Sequence, residues 1–283
     1  MERFDLAVIG GGTAGLVTAA VSAGIGARTA LVERHRLGGE CLWTGCGPSK
    51  AIIRSAAVLA TIRRAAEFGI RAGQAEADFA GVMARVRRTI AAIEPHDSPE
   101  RFRGLGVDVI QGHARFVSAE EAEVDGRRVR AKRWVLATGS RTAVPPIPGL
   151  EEAGFRTHED VWELERLPAS MLVLGAGPIG VEMAQTFARL GSRVTLVDGG
   201  AQVLGREDPE VAEVLRRALE REGVALRLGT RAEAVRAEGG ERVATLRSGG
   251  GAEEEARAEV VLVATGRRAN VEGMGLEALG VEA

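Results

Sequence analysis

The only two cysteines of the chain lie close together, in the run Gly38-Gly39-Glu40-Cys41-Leu42-Trp43-Thr44-Gly45-Cys46-Gly47-Pro48-Ser49-Lys50. Two chemistries use such a pair. A zinc site needs two further soft ligands. The four histidines, His35, His96, His113 and His158, stand at no ligand spacing from the cysteines. They read as ordinary loop or surface residues, and no metal site is expected. A redox disulfide needs only the pair itself. Residues 51–66 read as a helix, so one sulfur sits at a helix entrance. There the positive end of the dipole lowers a thiol pKa from ~8.5 into the range ~3.5–7.5. A thiolate so formed can attack a substrate disulfide. Lysine occurs only at 50 and 132 in this arginine-rich chain. Lys50 is therefore a further candidate for chemistry, against the plain alternative of a solvated helix residue.

A second kind of chemistry is written twice. Gly10, Gly12 and Gly15 stand in G-x-G-x-x-G spacing, and Gly175, Gly177 and Gly180 repeat it. In each copy an apolar run precedes the loop and a helical stretch follows. A second apolar run then ends in an acid, Glu33 or Asp198, 18 residues beyond the last glycine. The first glycine makes a tight turn, the second lets backbone approach a pyrophosphate, and the third lets helix and strand pack closely. The diphosphate sits on the helix N-terminus, and the acid accepts from ribose hydroxyls. A lone glycine pattern is weak in a chain with 38 glycines. Two copies in register make coincidence a poor explanation. Asp198 favours a ribose 2′-OH over a 2′-phosphate, so NADH is expected before NADPH. Arg206 downstream leaves some NADPH use open.

These residues need a scaffold. The repeated strand-loop-helix-strand units predict an α/β fold with two Rossmann-like dinucleotide-binding domains. Each has a parallel sheet with helices and a small antiparallel β-meander. Residues 78–93 read as an amphipathic helix and 107–110 as a strand. Residues 114–135 alternate around an Asp125-Gly126 turn, as a meander does. Each half closes with an apolar strand running into Ala137-Thr138-Gly139 or Ala264-Thr265-Gly266, whose small residues allow close backbone approach to a ligand. The stiff segment 144–149 (V-P-P-I-P-G) marks a boundary. The second half adds a helix over 209–222 and a strand over 260–263. The expected division is 1–147, 148–268, and a short remainder 269–283.

Composition limits the partners. The net charge of −2 over 283 residues argues against nucleic acid or an anionic membrane. No apolar run reaches the ~20 residues that span a bilayer. Leu6 to Ile9 already read as a strand, so no leader is expected. A close cysteine pair without a wider disulfide framework points to a reducing, cytoplasmic setting.

The cysteine run resembles the active-site signature of the class I pyridine nucleotide-disulfide oxidoreductases, G-G-x-C-x4-G-C-x-P-S-K. The resemblance extends from Phe4 to the C-terminus, through Glu33, the Ala137–Ser140 turn, Gly175–Glu182 and Ala264–Arg267. It lies nearest to lipoamide-dehydrogenase-like and mercuric-reductase-like members. By that resemblance residues 1–147 bind FAD, residues 148–268 bind NAD(P), and 269–283 begin a return to the FAD domain. Electrons pass from NADH to FAD, to the Cys41–Cys46 disulfide, and on to a disulfide, lipoyl group or metal ion. Cys46 matches the flavin-side thiol and Cys41 the interchange thiol. Lys50 matches a lysine near the flavin, and Glu182 its partner, on the argument that a buried ammonium needs one. The implied cofactor-binding set is Gly10, Gly12, Thr13, Ala14, Gly15, Glu33, Gly39, Glu40, Lys50, Ala114, Thr138, Gly139 and Ser140 for FAD. For the nicotinamide nucleotide it is Gly175, Gly177, Pro178, Ile179, Gly180, Asp198, Ala232, Gly266 and Arg267. Pro178 stands where some relatives carry a flavin-covering aromatic.

Full-length members continue past this point. They supply a further flavin contact and a dimerisation domain whose His-Glu pair serves the partner subunit. That implies a homodimer for the whole protein but not for this chain, and a lost acid/base would cost ~10²–10⁴ in rate. The alternative expectation is a flavin- and nucleotide-binding fragment or subunit that needs a C-terminal partner. A transhydrogenase or quinone reductase that uses flavin without a substrate disulfide is a rival within the class.

Overall fold

The apolar run before the first glycine loop forms β1 (Glu2–Ile9) of the computed structural model, which describes residues 2–282. Down the chain follow α1 (Thr13–Gly24), β2 (Thr29–Glu33), α2 (Gly39–Trp43), α3 (Cys46–Arg63), α4 (Phe79–Ile93), α5 (Pro99–Gly104) and β3 (Val107–Gln111). The meander is β4 (Ala114–Ser118), β5 (Glu121–Val124) and β6 (Arg127–Leu136), followed by β7 (Ser140–Thr142) and α6 (Leu150–Ala153). The second plan runs β8 (Ser170–Leu174), α7 (Pro178–Leu190), β9 (Arg193–Asp198), α8 (Pro209–Arg221) and β10 (Ala225–Leu228). It ends with β11 (Thr230–Glu238), β12 (Glu241–Ser248), β13 (Glu253–Ala258), β14 (Val260–Val263) and β15 (Arg267–Ala269).

The fold is α/β, as the repeated pattern predicts. Two compact units interleave along the chain. One comprises Met1–Gly47, Arg88–Arg141 and Arg268–Ala283, the other Pro48–Arg87 and Thr142–Arg267. In the first, the sheet order is β3-β2-β1-β6-β5-β4. β1, β2, β3 and β6 are parallel, and β5 and β4 add antiparallel strands. The meander is thus no separate sheet, because β6 pairs with β1 on one side and β5 on the other. β1 is central, so both its faces are apolar. Ala7 and Ile9 join Ala30, Val32, Phe116 and Val124 on one face. Val8 joins Leu31 with Leu16 and Ala19 of α1 on the other.

In the second unit the parallel sheet is β10-β9-β8-β14 and the antiparallel sheet β11-β12-β13 is separate. Leu172, Leu174, Val197 and Val261 meet Val235, Ala244 and Leu246 across one shared core. Helix α7 packs against β8 and β9. No helix among the described residues is long and apolar enough to cross a membrane.

One helix begins earlier than its sequence suggests. α3 starts at Cys46 rather than at 51, with Pro48 in its first turn. Proline is tolerated there because the first N–H groups have no intrahelical acceptor to lose.

Candidate redox and dinucleotide sites

The two glycine loops are the same object built twice. Gly10 and Gly175 sit at φ +108° and +105°, in the region that side chains avoid. A Cβ on Gly10 would collide with the Ala137 carbonyl, and one on Gly175 with the Ala264 carbonyl. Each loop is therefore seated on its own Ala-Thr-Gly turn. A Cβ on Gly15 or Gly180 would meet the carbonyl of Gly10 or Gly175. Helices α1 and α7 have Gly12 and Gly177 at their N-caps and no side-chain cap. Their first-turn N–H groups, at Thr13 and Ala14 or at Ile179 and Gly180, are left for an anion.

The acids repeat as well. Glu33 Oε2 accepts from Gly11 N at 2.6 Å and Oε1 from His35 N at 2.7 Å. Asp198 Oδ2 accepts from Ala176 N and Oδ1 from Gly200 N, both at 2.6 Å. Beside each acid opens a cleft. The first is lined by Gly10, Glu33, His113, Ala114, Thr138 and Asn270, among others. The second includes Gly175, Asp198, Arg231, Ala232, Ile147 and Thr265.

Most of the expected binding residues gather on these two features. Gly139 (φ +69°) follows Thr138, its carbonyl accepts from Asn270 N, and Ser140 opens β7. Gly266 and Arg267 do not line the second cleft, where Thr265 stands instead, and Arg206 does not line it either. Asn270, His113 and Arg231 are not among the binding residues expected from the sequence. For His113 and Arg231 a signal existed, since each directly precedes an expected cleft residue, Ala114 or Ala232.

His158 corrects the reading of the histidines as ordinary loop or surface residues. It is only 5% exposed. Its Nδ1 lies 2.9 Å from Thr142 Oγ1 and its Nε2 3.2 Å from an Arg267 guanidinium nitrogen. A guanidinium only donates, so Nε2 accepts and Nδ1 donates to the threonine. Arg267 is thereby held by a buried ring.

The cysteine segment is tied to the first glycine loop. Gly38 N donates to Gly11 O at 2.9 Å. A Cβ on Gly39 (φ +53°) would lie 2.5 Å from Gly12 Cα, so the two backbones touch. Cys41 lies in the short α2, partly buried, and Cys46 opens α3 at the surface, with no disulfide joining them. Between them Gly45 N donates to Glu40 O at 2.6 Å, which folds the intervening turn. Trp43 Nε1 donates to Leu37 O at 2.7 Å, and the Arg36 guanidinium stacks 3.5 Å from the Trp43 ring centre.

Lys50, one turn beyond Cys46 on α3, places its Nζ 2.7 and 2.9 Å from the two carboxylate oxygens of Glu182 on α7. The expected pair exists, but Lys50 is not the buried ammonium that was expected. The side chains are 62% and 38% exposed, so this ammonium is not buried.

The description "pyridine nucleotide-disulphide oxidoreductase" belongs to a family model that matches residues 4–283. A mercuric reductase of Lysinibacillus sphaericus is 32% identical over 99% of this chain and 51% of its own length. A dihydrolipoyl dehydrogenase of Thermus scotoductus is 35% identical over 100% of this chain and 61% of its own. Among solved structures, the Cu(II) complex of the HOCl-induced flavoprotein disulfide reductase RclA from Escherichia coli superposes with a TM-score of 0.85 at 26% identity. That match covers 100% of this chain and 60% of RclA. The chain thus spans about half to three-fifths of the length of these relatives.

Proposed function

Because the chain belongs to the pyridine nucleotide-disulphide oxidoreductase family, we propose that it carries electrons from NADH through FAD to the Cys41–Cys46 pair. From there they pass to a disulfide, a lipoyl group or a thiophilic metal ion. One observation carries this reading: the cysteine segment is joined to the first glycine loop by the Gly38–Gly11 hydrogen bond and the Gly39–Gly12 contact. A sulfur pair built onto a nucleotide cradle has an electron carrier at hand.

FAD fits the first cleft. Uncapped donors at Thr13 and Ala14 suit a diphosphate, and Glu33 suits ribose hydroxyls. Residues 1–147 are assigned to FAD and 148–268 to the nicotinamide nucleotide. The following segment also reaches the first cleft through Asn270. On the second glycine loop a Cβ on Gly177, the N-cap of α7, would meet nothing within 4 Å, so the protein itself does not require that glycine. A diphosphate pressed against the backbone would require it. Asp198 makes NADH the favoured donor.

When bound, FAD supplies the relay of an electron pair between nicotinamide and sulfur. The chain does the rest. The Cys41–Cys46 disulfide takes up two electrons and two protons to become two thiols. The Cys41 thiolate attacks one sulfur of the acceptor disulfide and expels the other as a thiol. Cys46 then attacks the mixed disulfide, releases the second acceptor thiol and restores the Cys41–Cys46 bond. Lys50, oriented by Glu182, holds a positive charge one turn from Cys46. The whole protein is expected to act as a cytoplasmic homodimer.

Exchange of Cys41 for serine tests the thiol route. Disulfide reduction should vanish while NADH-dependent reduction of ferricyanide survives. Retained disulfide reduction would replace this reading with a flavin enzyme of the transhydrogenase or quinone-reductase kind. The span of about half to three-fifths of the relatives favours a second reading. In it the chain binds FAD and NADH but turns over only with a downstream polypeptide that supplies an acid/base. Turnover that appears only when that polypeptide is added selects it.

A further inference from the structure

The turn after Asp198 holds a glycine that its backbone does not need. Gly199 is outside the positive-φ glycines, so an ordinary residue would suit its conformation. Its role is to make room. A Cβ there would lie 2.9 Å from Arg231 Nε and 3.2 Å from Arg231 Cγ. The arginine enters from β11 and lies across the backbone that follows the ribose-side acid. It lines the same cleft as Asp198 and Ala232. Among the described residues Arg231 forms no ion pair, whereas its cross-strand neighbour Arg247 is held by Glu233 and Glu253. Asp198, meanwhile, already receives a backbone N–H on each of its oxygens. The first cleft differs at both positions, with Arg34 directly after its acid and His113 where Arg231 stands.

We propose that Arg231 forms a 2′-phosphate contact in the second cleft, so that the chain accepts NADPH as well as NADH. This rests on the reading of that cleft as the nicotinamide-nucleotide site. A guanidinium is a planar fork matched to phosphate oxygens, and it stays charged at all working pH values. Asp198 alone would exclude a 2′-phosphate. An arginine lying beside it, uncommitted to any carboxylate, offsets that repulsion. The cation comes from the antiparallel sheet and replaces one on the acid's own turn, where Gly199 leaves no side chain.

The test uses two probes, 5′-AMP and adenosine 2′,5′-bisphosphate, titrated calorimetrically into the full chain. In the unaltered protein the bisphosphate should bind within about tenfold of 5′-AMP. Arg231→Leu should weaken the bisphosphate roughly tenfold or more, the range of one charge-assisted hydrogen bond. It should leave 5′-AMP within about twofold. Gly199→Ala keeps the arginine but displaces it, and should weaken the bisphosphate in the same selective way. Equal loss of both probes would assign Arg231 to the adenine or to folding and overturn the proposal, as would no loss of either. If the unaltered protein binds neither probe, the nucleotide reading of the cleft fails, and the proposal with it. If it binds 5′-AMP but not the bisphosphate, only the proposal falls.

Discussion

Lys50 Nζ sits within hydrogen-bond reach of both carboxylate oxygens of Glu182, a residue 132 positions downstream, in a pair open to solvent. Exposed pairs contribute little to stability, typically about 0.2–1 kcal/mol. Glu182→Gln should therefore shift the urea midpoint only slightly. If the pair orients a charge for the redox step, the same change should slow NADH-dependent reduction of the cysteine pair by roughly tenfold to a hundredfold. Stopped-flow rates set beside equilibrium unfolding separate the two effects. A large stability loss with an unchanged rate would make the pair structural.

The glycines of the second loop divide by function. Gly180→Ala forces a methyl onto the Gly175 carbonyl and should destabilise by about 1–3 kcal/mol, as overpacking does. Gly177→Ala meets no protein atom and should leave the urea midpoint in place. It should nonetheless weaken binding of ADP-ribose severalfold, because the added methyl occupies the ligand's side of the loop. Equal stability losses in the two variants would remove the argument for a diphosphate at Gly177.

Glu272, which borders the first cleft, is held far below the usual carboxylate range, at about 2. The main cause is its hydrogen bond to Arg141, with its own backbone N–H next. A carboxylate depressed in the folded state lends stability above its ordinary pKa near 4.5, and that contribution fades as pH falls toward 2. Glu272→Gln should lower the urea midpoint at pH 6 by a fixed amount. The gap between the two proteins should narrow as pH falls below about 4.5. A gap that stays constant down to pH 3 would show that the carboxylate charge is not what Arg141 recognises.

His158 couples two distant segments. His158→Leu takes this partner from the exposed Arg267 guanidinium and from the buried Thr142 hydroxyl, and the buried hydroxyl sets a cost of about 1–3 kcal/mol. Thermal and urea unfolding check the size. A neutral outcome would mean that the surroundings satisfy both groups unaided.

The sequence is most legible where structure is local. Both glycine loops, their helices and their acids follow from spacing, because each strand-loop-helix unit is fixed by neighbours within about thirty residues. The α/β class follows from that repetition. The sharing of β6 between a parallel and an antiparallel partner was not visible, since alternation in Arg127–Leu136 looks the same either way. The early start of α3 was masked by Pro48, which reads as a breaker but costs nothing in a first turn. His158 was misread because a single histidine has no periodicity. One of its two ring partners, Arg267, lies 109 residues away. The proximity of Lys50 and Glu182 is equally non-local and came only through family resemblance. Nothing in either side chain's own neighbourhood announces it.

The central claim is that the two sulfurs cycle between disulfide and dithiol at the expense of reduced nicotinamide. The direct measurement is a thiol count under anaerobic, denaturing quench, on protein reconstituted with FAD and oxidised beforehand. Addition of NADH should raise the titre by two thiols per chain, and Cys41→Ser or Cys46→Ser should abolish the rise. An unchanged titre, in protein whose flavin has been fully bleached by the added NADH, would contradict the account.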